Sequence, residues 1–576
     1  MKINYAHGFL SFQGEKAGTC AWQTSAKKAG VNMGGIVMAK KTKLTLHPKY
    51  AIGEISPRLY GAFMEPIGTI VNGSMYNPKH PTADAQGFRR DFMDALREAG
   101  LPALRLPGGN FVSGWEWKDS IGPMEQRKAH LDLAWFQYIP NDVGHDEYLQ
   151  WAEKIATEPM YTINLGTGTL QDAIHIAEYT NHPGGTYWSD LRRQYGREEP
   201  YQVKTWYLGN EMDGPWQIGS WEKDPRGYGV LANEVSKAMK WVDGRIETAV
   251  CASSSPFLDH YPQWDLEVLQ ECYNSVDFVS MHHYHSAAPG NYAQLLGGSA
   301  YIEDYINTEA ALCDFVQAKM RSPRKLMLSF DEYGTMMRPL EGIRHPGWGP
   351  YNLYHTHYAF RPDRSYVRHD PDNMEQREFP TGDMADALGS ASVLLAFLRH
   401  ADRVKIGCMT RGLAALCRTD REHVWRSASY YPFHQLMEYG RGRSMQVVVE
   451  GETFDLPAYA VDDTSQYPEK EGLPFVDAAA AYDEENGTLA VFAINRDWEN
   501  DTEVELDCSA FTGFRFVEAI QLYSDDLDAK NTFENPDRIQ PAVNASAREE
   551  DGAVKATLKR LSWNVFRFEK EKEEKV

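Results

Sequence analysis

Two short stretches carry carboxylates where they could do acid–base and nucleophilic work. One is Gly209-Asn210-Glu211, directly after the run Thr205–Leu208. The other is Asp331-Glu332, directly after the run Leu326–Phe330. Glycoside cleavage needs such a pair: one carboxylic acid protonates the leaving oxygen, and a second carboxylate attacks the sugar carbon or activates water. Asn210, beside Glu211, offers an amide to a sugar hydroxyl next to the reacting carbon. Which of Asp331 and Glu332 turns inward depends on register, because side chains alternate along a strand. Other apolar runs end in Glu65, in Arg105-Leu-Pro-Gly-Gly-Asn110, in His282-His283-Tyr284 and in Thr410-Arg411.

Each candidate has a plainer reading beside it. His282, His283 and His285 are metal-ligand types, but no carboxylate ligand pattern accompanies them, and a satisfied core or substrate-contacting histidine accounts for them better. Trp216 either stacks on a sugar or packs under the loop that carries Glu211. Glu65 and Arg105 either line a pocket or form a structural ion pair. The two-carboxylate chemistry needs neither metal nor cofactor.

Residues with these duties must be held at one place by the fold. Eight short apolar runs lie between residues 57 and 430: Leu59–Glu65, Ala103–Leu106, Met160–Leu165, Thr205–Leu208, Thr248–Ala252, Phe278–His282, Leu326–Phe330 and Val404–Cys408. Between them lie helical stripes: Phe88, Phe92 and Leu96 with Gly100 as a stop; Leu170, Ile174 and Ala177; Leu231, Val235, Met239 and Val242. Strands apolar on both faces and separated by helices form a parallel sheet. Eight of them predict a (β/α)8 barrel, whose active site lies at the C-terminal strand ends. Strands four and seven then face each other across the mouth. No GxGxxG follows a strand, which counts against a dinucleotide fold.

After residue 430 only strand patterns are read, with Asn486-Gly487 as a hairpin signal, which predicts a β-sandwich, jelly-roll-like, over 431–570. Residues 41–56 form a strand that joins it. Residues 1–40 are small, polar and aperiodic and read as a disordered extension, or as an upstream start with Met38 as the true one. Residues 571–576 are a charged tail.

The chain has 576 residues, 59 Lys+Arg against 81 Asp+Glu, and a formal charge of −22. That acidity argues against nucleic acid or an anionic membrane as partner. Hydrophobic residues at 42% exclude disorder for most of the chain. The 7 cysteines show no CxxC spacing, and no apolar run reaches membrane-spanning length. With no apolar leader, the expected compartment is the cytoplasm.

The motifs Tyr60-Gly-Ala-Phe-Met-Glu65, Arg105–Ser113, Trp206–Gln217 (Trp-Tyr-Leu-Gly-Asn-Glu-Met-Asp-Gly-Pro-Trp-Gln), Ser280-Met-His-His-Tyr284 and Phe330-Asp-Glu332 resemble glycoside hydrolase family 51, typically α-L-arabinofuranosidases. Tyr430–Phe433 and Ala529–Pro536 extend the resemblance, which covers about residues 42–570. It implies Glu211 as general acid/base and Glu332 as nucleophile of a retaining double displacement. Glu65, Asn110, Asn210, His282 and Tyr284 would line the pocket, and Arg105 would keep Glu332 charged. It also implies a homo-oligomer, often a hexamer, and exo-acting release of arabinofuranose from arabinan- or arabinoxylan-type oligosaccharides. Three departures stand out. The family's Asp-Glu-Trp-Asn reads Asp331-Glu332-Tyr333-Gly334; Arg411, or the residue one position off, stands where a glutamine usually contacts the sugar; and a long stretch from Met336 to about Thr381, rich in His, Arg, Tyr and Pro, is expected to fold over the rim. A β-xylosidase or β-glucanase with a re-tuned pocket is the alternative, followed by a carbohydrate-binding protein without catalysis.

Overall fold

The computed structural model describes residues 40–337, 366–368, 382–462 and 465–571. The expectations for residues 1–39, for most of the Met336–Thr381 stretch and for 572–576 lie outside them. Eight parallel strands close into a barrel: Gly61–Phe63, Ala103–Arg105, Glu158–Ile163, Thr205–Leu208, Glu247–Cys251, Phe278–Ala287, Met327–Met337 and Val404–Thr410. Strand eight pairs with strand one, from Cys408↔Gly61 to Thr410↔Phe63, which completes the ring. Inward-facing Phe63, Met160, Tyr207, Ala249 and Ile406 fill the barrel interior as a layered core. Outward-facing residues pack on the surrounding helices. Among the described residues, no helix is long and apolar enough to cross a membrane.

The first helix, Arg90–Ala99, buries Phe92 and Leu96 and ends at Gly100, whose φ of 76° is a left-handed cap that favours glycine. The stripe expected through Leu170, Ile174 and Ala177 is rotated. Helix Leu170–Asn181 buries Ala173, Ile176 and Ala177, while Leu170 is exposed at the N-terminus behind its Thr169 cap. The expectation of strands alone after residue 430 is also corrected. Tyr430–Tyr439 is a helix that buries Phe433, Leu436 and Met437, and it closes the eighth β/α unit. Its Pro432 sits in the first turn, where a missing N–H costs nothing.

Beyond it lies a ten-stranded sheet. Strand Lys40–Glu54 is one of its members, antiparallel to Arg443–Glu450 and parallel to Thr502–Asp507. Alternation decides what each face buries. Along Thr488–Asn495, Leu489, Val491 and Ala493 enter the sheet's own core, with Leu44, Leu506 and Phe566. The intervening Ala490, Phe492 and Ile494 join the core shared with the barrel. The neighbouring strand is buried on both faces through Ala478–Ala481, small enough to fit between two layers. Trp563 is fully buried at this junction and donates its Nε1 hydrogen to Gln435 Oε1 (2.7 Å) on helix Tyr430–Tyr439. Arg399 bridges to Asp477 (2.8 Å). Asn486-Gly487 makes the expected hairpin, with Gly487 at φ 65°.

Candidate active site

The ends of strands one, two, four, six, seven and eight meet at one mouth. After strand four the chain turns sharply: Gly209 has φ 91° and Glu211 itself φ 46°. A side chain in that left-handed conformation costs about 1–3 kcal/mol and persists where neighbours hold it. Asp213, fully buried two residues on, is one such hold. It accepts from Ser254 N and His260 Nε2, both at 2.9 Å, tying this turn to the loop after strand five.

Carboxylate oxygens of Glu211 and Glu332 lie within 4.8 Å of one another, with His282 Nδ1 in the same group. Direct attack with a second carboxylate as acid uses a pair about 5–5.5 Å apart, whereas an intervening water needs roughly 6.5–9.5 Å. Both oxygens of Glu332 are held. Arg105 Nη1 donates to Oε1 (2.8 Å) and the Tyr284 hydroxyl to Oε2 (2.7 Å). Arg105 is fully buried, stacked between Phe63 (4.7 Å) and Tyr207 (4.8 Å). Its Nη2 donates to Asn210 Oδ1 (2.6 Å), and its Nε lies 3.2 Å from Asp331. Asn210 then donates one of its two amide hydrogens to Asn110 Oδ1 (2.9 Å). Gln217 also donates to Asn110. Trp216 donates its Nε1 hydrogen to Glu211 Oε2 (2.6 Å), so its indole N–H holds the carboxyl.

Charge follows from burial and these neighbours. Burial opposes the charge on Arg105, but Asp331 and Glu332 outweigh it and its pKa rises. Burial also opposes a proton on His282, yet Glu332, Asp331 and Glu211 together raise it to about 10. The resulting imidazolium faces Glu211 Oε1 from Nδ1 (3.1 Å) and Asp331 Oδ2 from Nε2 (3.2 Å). Glu211 is pushed up, first by burial, with Glu332 adding and the His282 bond opposing. That direction favours the protonated form, which leaving-group protonation needs. Glu211, His282 and Glu332 are metal-ligand types, but here their donor atoms face one another beside the cationic Arg105.

Glu65 lies on the other side of Arg105's loop. It accepts from Phe111 N (3.0 Å) and from Trp135 Nε1 (2.5 Å). Gly109 lies so close that a Cβ there would stand 2.1 Å from the Glu65 carboxyl carbon, which accounts for the second glycine of the motif. Burial, then Glu332, raises Glu65 to about 8. Trp135 comes from a hairpin, His130–Asp132 with Gln137–Ile139, whose turn is pinned by Asp132 accepting from Ala134 N (2.9 Å) and Gln137 Nε2 (2.7 Å). Val367 pairs with this hairpin by backbone bonds to Phe136 and Tyr138, both 2.9 Å. The long stretch after strand seven therefore returns to the rim at residues 366–368.

Glu65, Arg105, Asn110, Asn210, Glu211, Trp216, His282, Tyr284 and Glu332 thus converge. Arg411 starts the short helix Gly412–Leu416 with φ 52° and is half-buried. It is the preceding Thr410 whose hydroxyl meets Tyr284, at 2.8 Å. His283 and His285 do not converge with His282: they face the opposite side of strand six, against Phe257 and Tyr467. Tyr333, the departure beside Glu332, also faces outward, edge-on to Phe397 (5.1 Å). Sequence reasoning missed Trp135 and gave Gln217 no role, and it named Thr410 only as a strand end. Gln217 stood inside a quoted motif, but a tryptophan in a hairpin turn carries no signal of its own.

A closed β/α barrel that presents two buried carboxylates at direct-attack spacing on strands four and seven is the architecture of a glycoside hydrolase. Comparison with known proteins narrows the class. The α-L-arabinofuranosidase 1 domain family matches residues 95–301, and the α-L-arabinofuranosidase C-terminal domain family matches residues 331–562. An intracellular exo-α-(1→5)-L-arabinofuranosidase 1 of Bacillus subtilis (strain 168) is 37% identical over 535 residues, covering 92% of this chain and 100% of that one. An exo-α-(1→6)-L-arabinofuranosidase of Bifidobacterium longum is 32% identical over 536 residues, covering 91% and 96%. The solved structure of a family 51 α-L-arabinofuranosidase from Bifidobacterium longum aligns with a TM-score of 0.77 at 30% identity, covering 92% and 99%. The chain belongs to the α-L-arabinofuranosidases of glycoside hydrolase family 51.

Proposed function

We propose that this protein is a retaining, exo-acting α-L-arabinofuranosidase that releases terminal L-arabinofuranose from arabinan- or arabinoxylan-type oligosaccharides. The observation that carries the reading is the spacing, within 4.8 Å, of the Glu211 and Glu332 carboxylate oxygens. Glu332 attacks the anomeric carbon while Glu211 gives its proton to the leaving oxygen. The glycosyl ester on Glu332 is then hydrolysed by water that Glu211 deprotonates. The switch is built in. Charge on Glu332 helps hold the Glu211 proton on, and esterification removes that charge. Glu211 then ionises and serves as base. Asn210's remaining amide hydrogen meets the hydroxyl next to the reacting carbon. Glu65, largely protonated at neutral pH, donates to a second hydroxyl.

The compared relatives carry different linkages, (1→5) and (1→6), in their names. Linkage is then decided outside the shared pocket, and Arg411, at the end of strand eight, is the residue of this chain that we expect to bear on it. The intracellular relatives support action in the cytoplasm on imported oligosaccharides. Assembly as a homo-oligomer, a hexamer by family resemblance, is tested by light scattering. The activity is tested by hydrolysis of 4-nitrophenyl α-L-arabinofuranoside beside the β-D-xyloside and β-D-glucoside, by wild type and Glu332→Ala. Preference for the arabinofuranoside, lost in the variant, is expected. Preference for either pyranoside would replace the substrate and keep the chemistry.

A further inference from the structure

Strands six and seven outrun the barrel. Strand five follows strand six only to Cys251↔Ser280, and strand eight follows strand seven only to Tyr333↔Met409. Six and seven continue to pair up to Ala287↔Met337. A two-stranded ribbon therefore projects past the rim, and such a ribbon is marginal unless something covers a face of it. One face carries Tyr284, whose hydroxyl bonds Glu332 (2.7 Å) and Thr410 (2.8 Å). The other carries His283 and His285, both fully buried.

That second face is covered from the sheet domain. Two short antiparallel pairs, Thr453–Leu456 with Lys470–Pro474 and Tyr459–Asp462 with Ser465–Tyr467, form an arm. Tyr467, paired with Tyr459 at the open end of the second pair, is its buried anchor, at 2% exposure. Its ring lies 4.7 Å from His285, 4.8 Å from Phe257 and 4.9 Å from Tyr301. Polar ties fix the same place. The Tyr467 hydroxyl reaches the Tyr284 carbonyl oxygen (3.4 Å), Tyr459 Oη accepts from Ala288 N (2.9 Å), and the Tyr301 hydroxyl donates to Pro468 O (2.9 Å). Gly298 allows the close packing: a Cβ there would stand 2.3 Å from the His285 ring.

We propose that Tyr467 is a positioning residue for the reaction, acting through Tyr284. The arm of the sheet domain sets the height of the ribbon, and the ribbon sets the Tyr284 hydroxyl on the Glu332 oxygen. The sheet domain then takes part in turnover as well as in folding. Misplacing a catalytic hydrogen bond by about 1 Å can cost up to about 10²-fold in rate. The inference rests on the reading of Glu332 given above.

The test uses the full-length chain and four variants: Tyr467→Ala, Tyr467→Phe, Tyr284→Phe and the Tyr467→Ala/Tyr284→Phe pair, with Glu332→Gln as control. Each is assayed for kcat and KM on 4-nitrophenyl α-L-arabinofuranoside, and its melting midpoint is recorded. Tyr467→Ala is expected to lower kcat about tenfold or more with a smaller change in KM. Tyr467→Phe keeps the ring and restores most of that loss. In the Tyr284→Phe background Tyr467→Ala costs little further, because coupled residues are non-additive. A purely structural tyrosine would lower activity by the same factor in both backgrounds, and that outcome overturns the proposal, as does a wild-type kcat in Tyr467→Ala. If Tyr467→Ala fails to fold, the Tyr459→Phe variant, which removes the bond to Ala288 N, carries the same comparison. An active Glu332→Gln would sink the site reading itself; an inactive one beside a fully active Tyr467→Ala sinks the arm alone.

Discussion

Asp331 and Glu332 are neighbours in sequence, yet both carboxylates face the barrel interior. Strict alternation forbids this. The register shows how it happens: between Ser329 and Glu332 strand seven takes three steps while strand six takes two, from Ser280 to His282. The same extra residue shows against strand eight, where Phe330↔Gly407 is followed by Tyr333↔Met409. A bulge of this kind re-aims side chains and is frequent beside active sites. Phe330 and Tyr333 on either side point outward, both with ring centroids 5.1 Å from Phe397. The bulge thus supplies two anions to two cations: Glu332 to Arg105 Nη1, and Asp331 to Arg105 Nε and His282 Nε2.

The first prediction follows from Asp331. Among the groups that keep the proton on His282, Asp331 comes after Glu332. Asp331→Asn should therefore lower the His282 pKa and move the alkaline limb of the kcat profile to lower pH. A fall in kcat of about 10²-fold accompanies the loss of a buried charge partner for Arg105. The pH profile between 5 and 10 checks it. An unmoved limb would show that His282 titration does not govern turnover.

The second prediction separates acid from nucleophile. Glu211→Ala loses protonation of the leaving oxygen, a contribution of about 10²–10⁴-fold on unactivated arabinosides. A 2,4-dinitrophenyl leaving group needs no proton, so the burst of nitrophenolate survives while steady turnover stalls at the ester. Glu332→Ala shows no burst on any substrate. Stopped-flow release of the phenolate distinguishes them, and equal losses on every leaving group would reverse the assignment.

How much of this was legible beforehand differs by residue. All eight barrel strands were readable, because strands buried on both faces are short apolar runs between helices. The residues at their ends followed from the rule that barrels react at C-terminal strand ends. Asp331 against Glu332 was not decidable, since a bulge adds one residue without a composition of its own. Helix Tyr430–Tyr439 went unread, because aromatics and a proline in its first turn are weak helix signals. Trp135 was invisible because its duty depends on a hairpin fold bringing it to Glu65, seventy positions away in the chain.

The third prediction concerns Gly109. With φ 73° and a Cβ position 2.1 Å from the Glu65 carboxyl carbon, Gly109→Ala must displace Glu65 or the loop. The backbone alone, with positive φ and ψ of −171°, costs a non-glycine residue about 1–3 kcal/mol. A drop of that size in stability by urea titration, with a larger loss in kcat/KM than the fold loss explains, is expected. Wild-type kcat/KM would mean that Glu65 does not hold the sugar.

The fourth prediction is the acid limit of stability. His283 and His285 are buried against Phe257, Tyr301 and Tyr467, and burial pushes their pKa values down to about 3 and about 4. Among the described residues, neither ring nitrogen of His283 nor Nδ1 of His285 has a hydrogen-bond partner. In the unfolded chain each titrates near 6.5. Below that value the unfolded state binds protons that the folded state refuses, so stability falls as pH falls, by about 1.4 kcal/mol per pH unit for each such group. The loss starts near pH 6.5 and ends for each group as pH passes its folded value, about 4 for His285 and about 3 for His283. His283→Leu removes one titrating group from an apolar setting. Its melting midpoint should therefore fall less steeply than wild type between pH 6.5 and 4. Parallel slopes in differential scanning calorimetry would show that His283 is hydrated or protonated in the folded protein, and that the cover over the ribbon is looser than its packing implies.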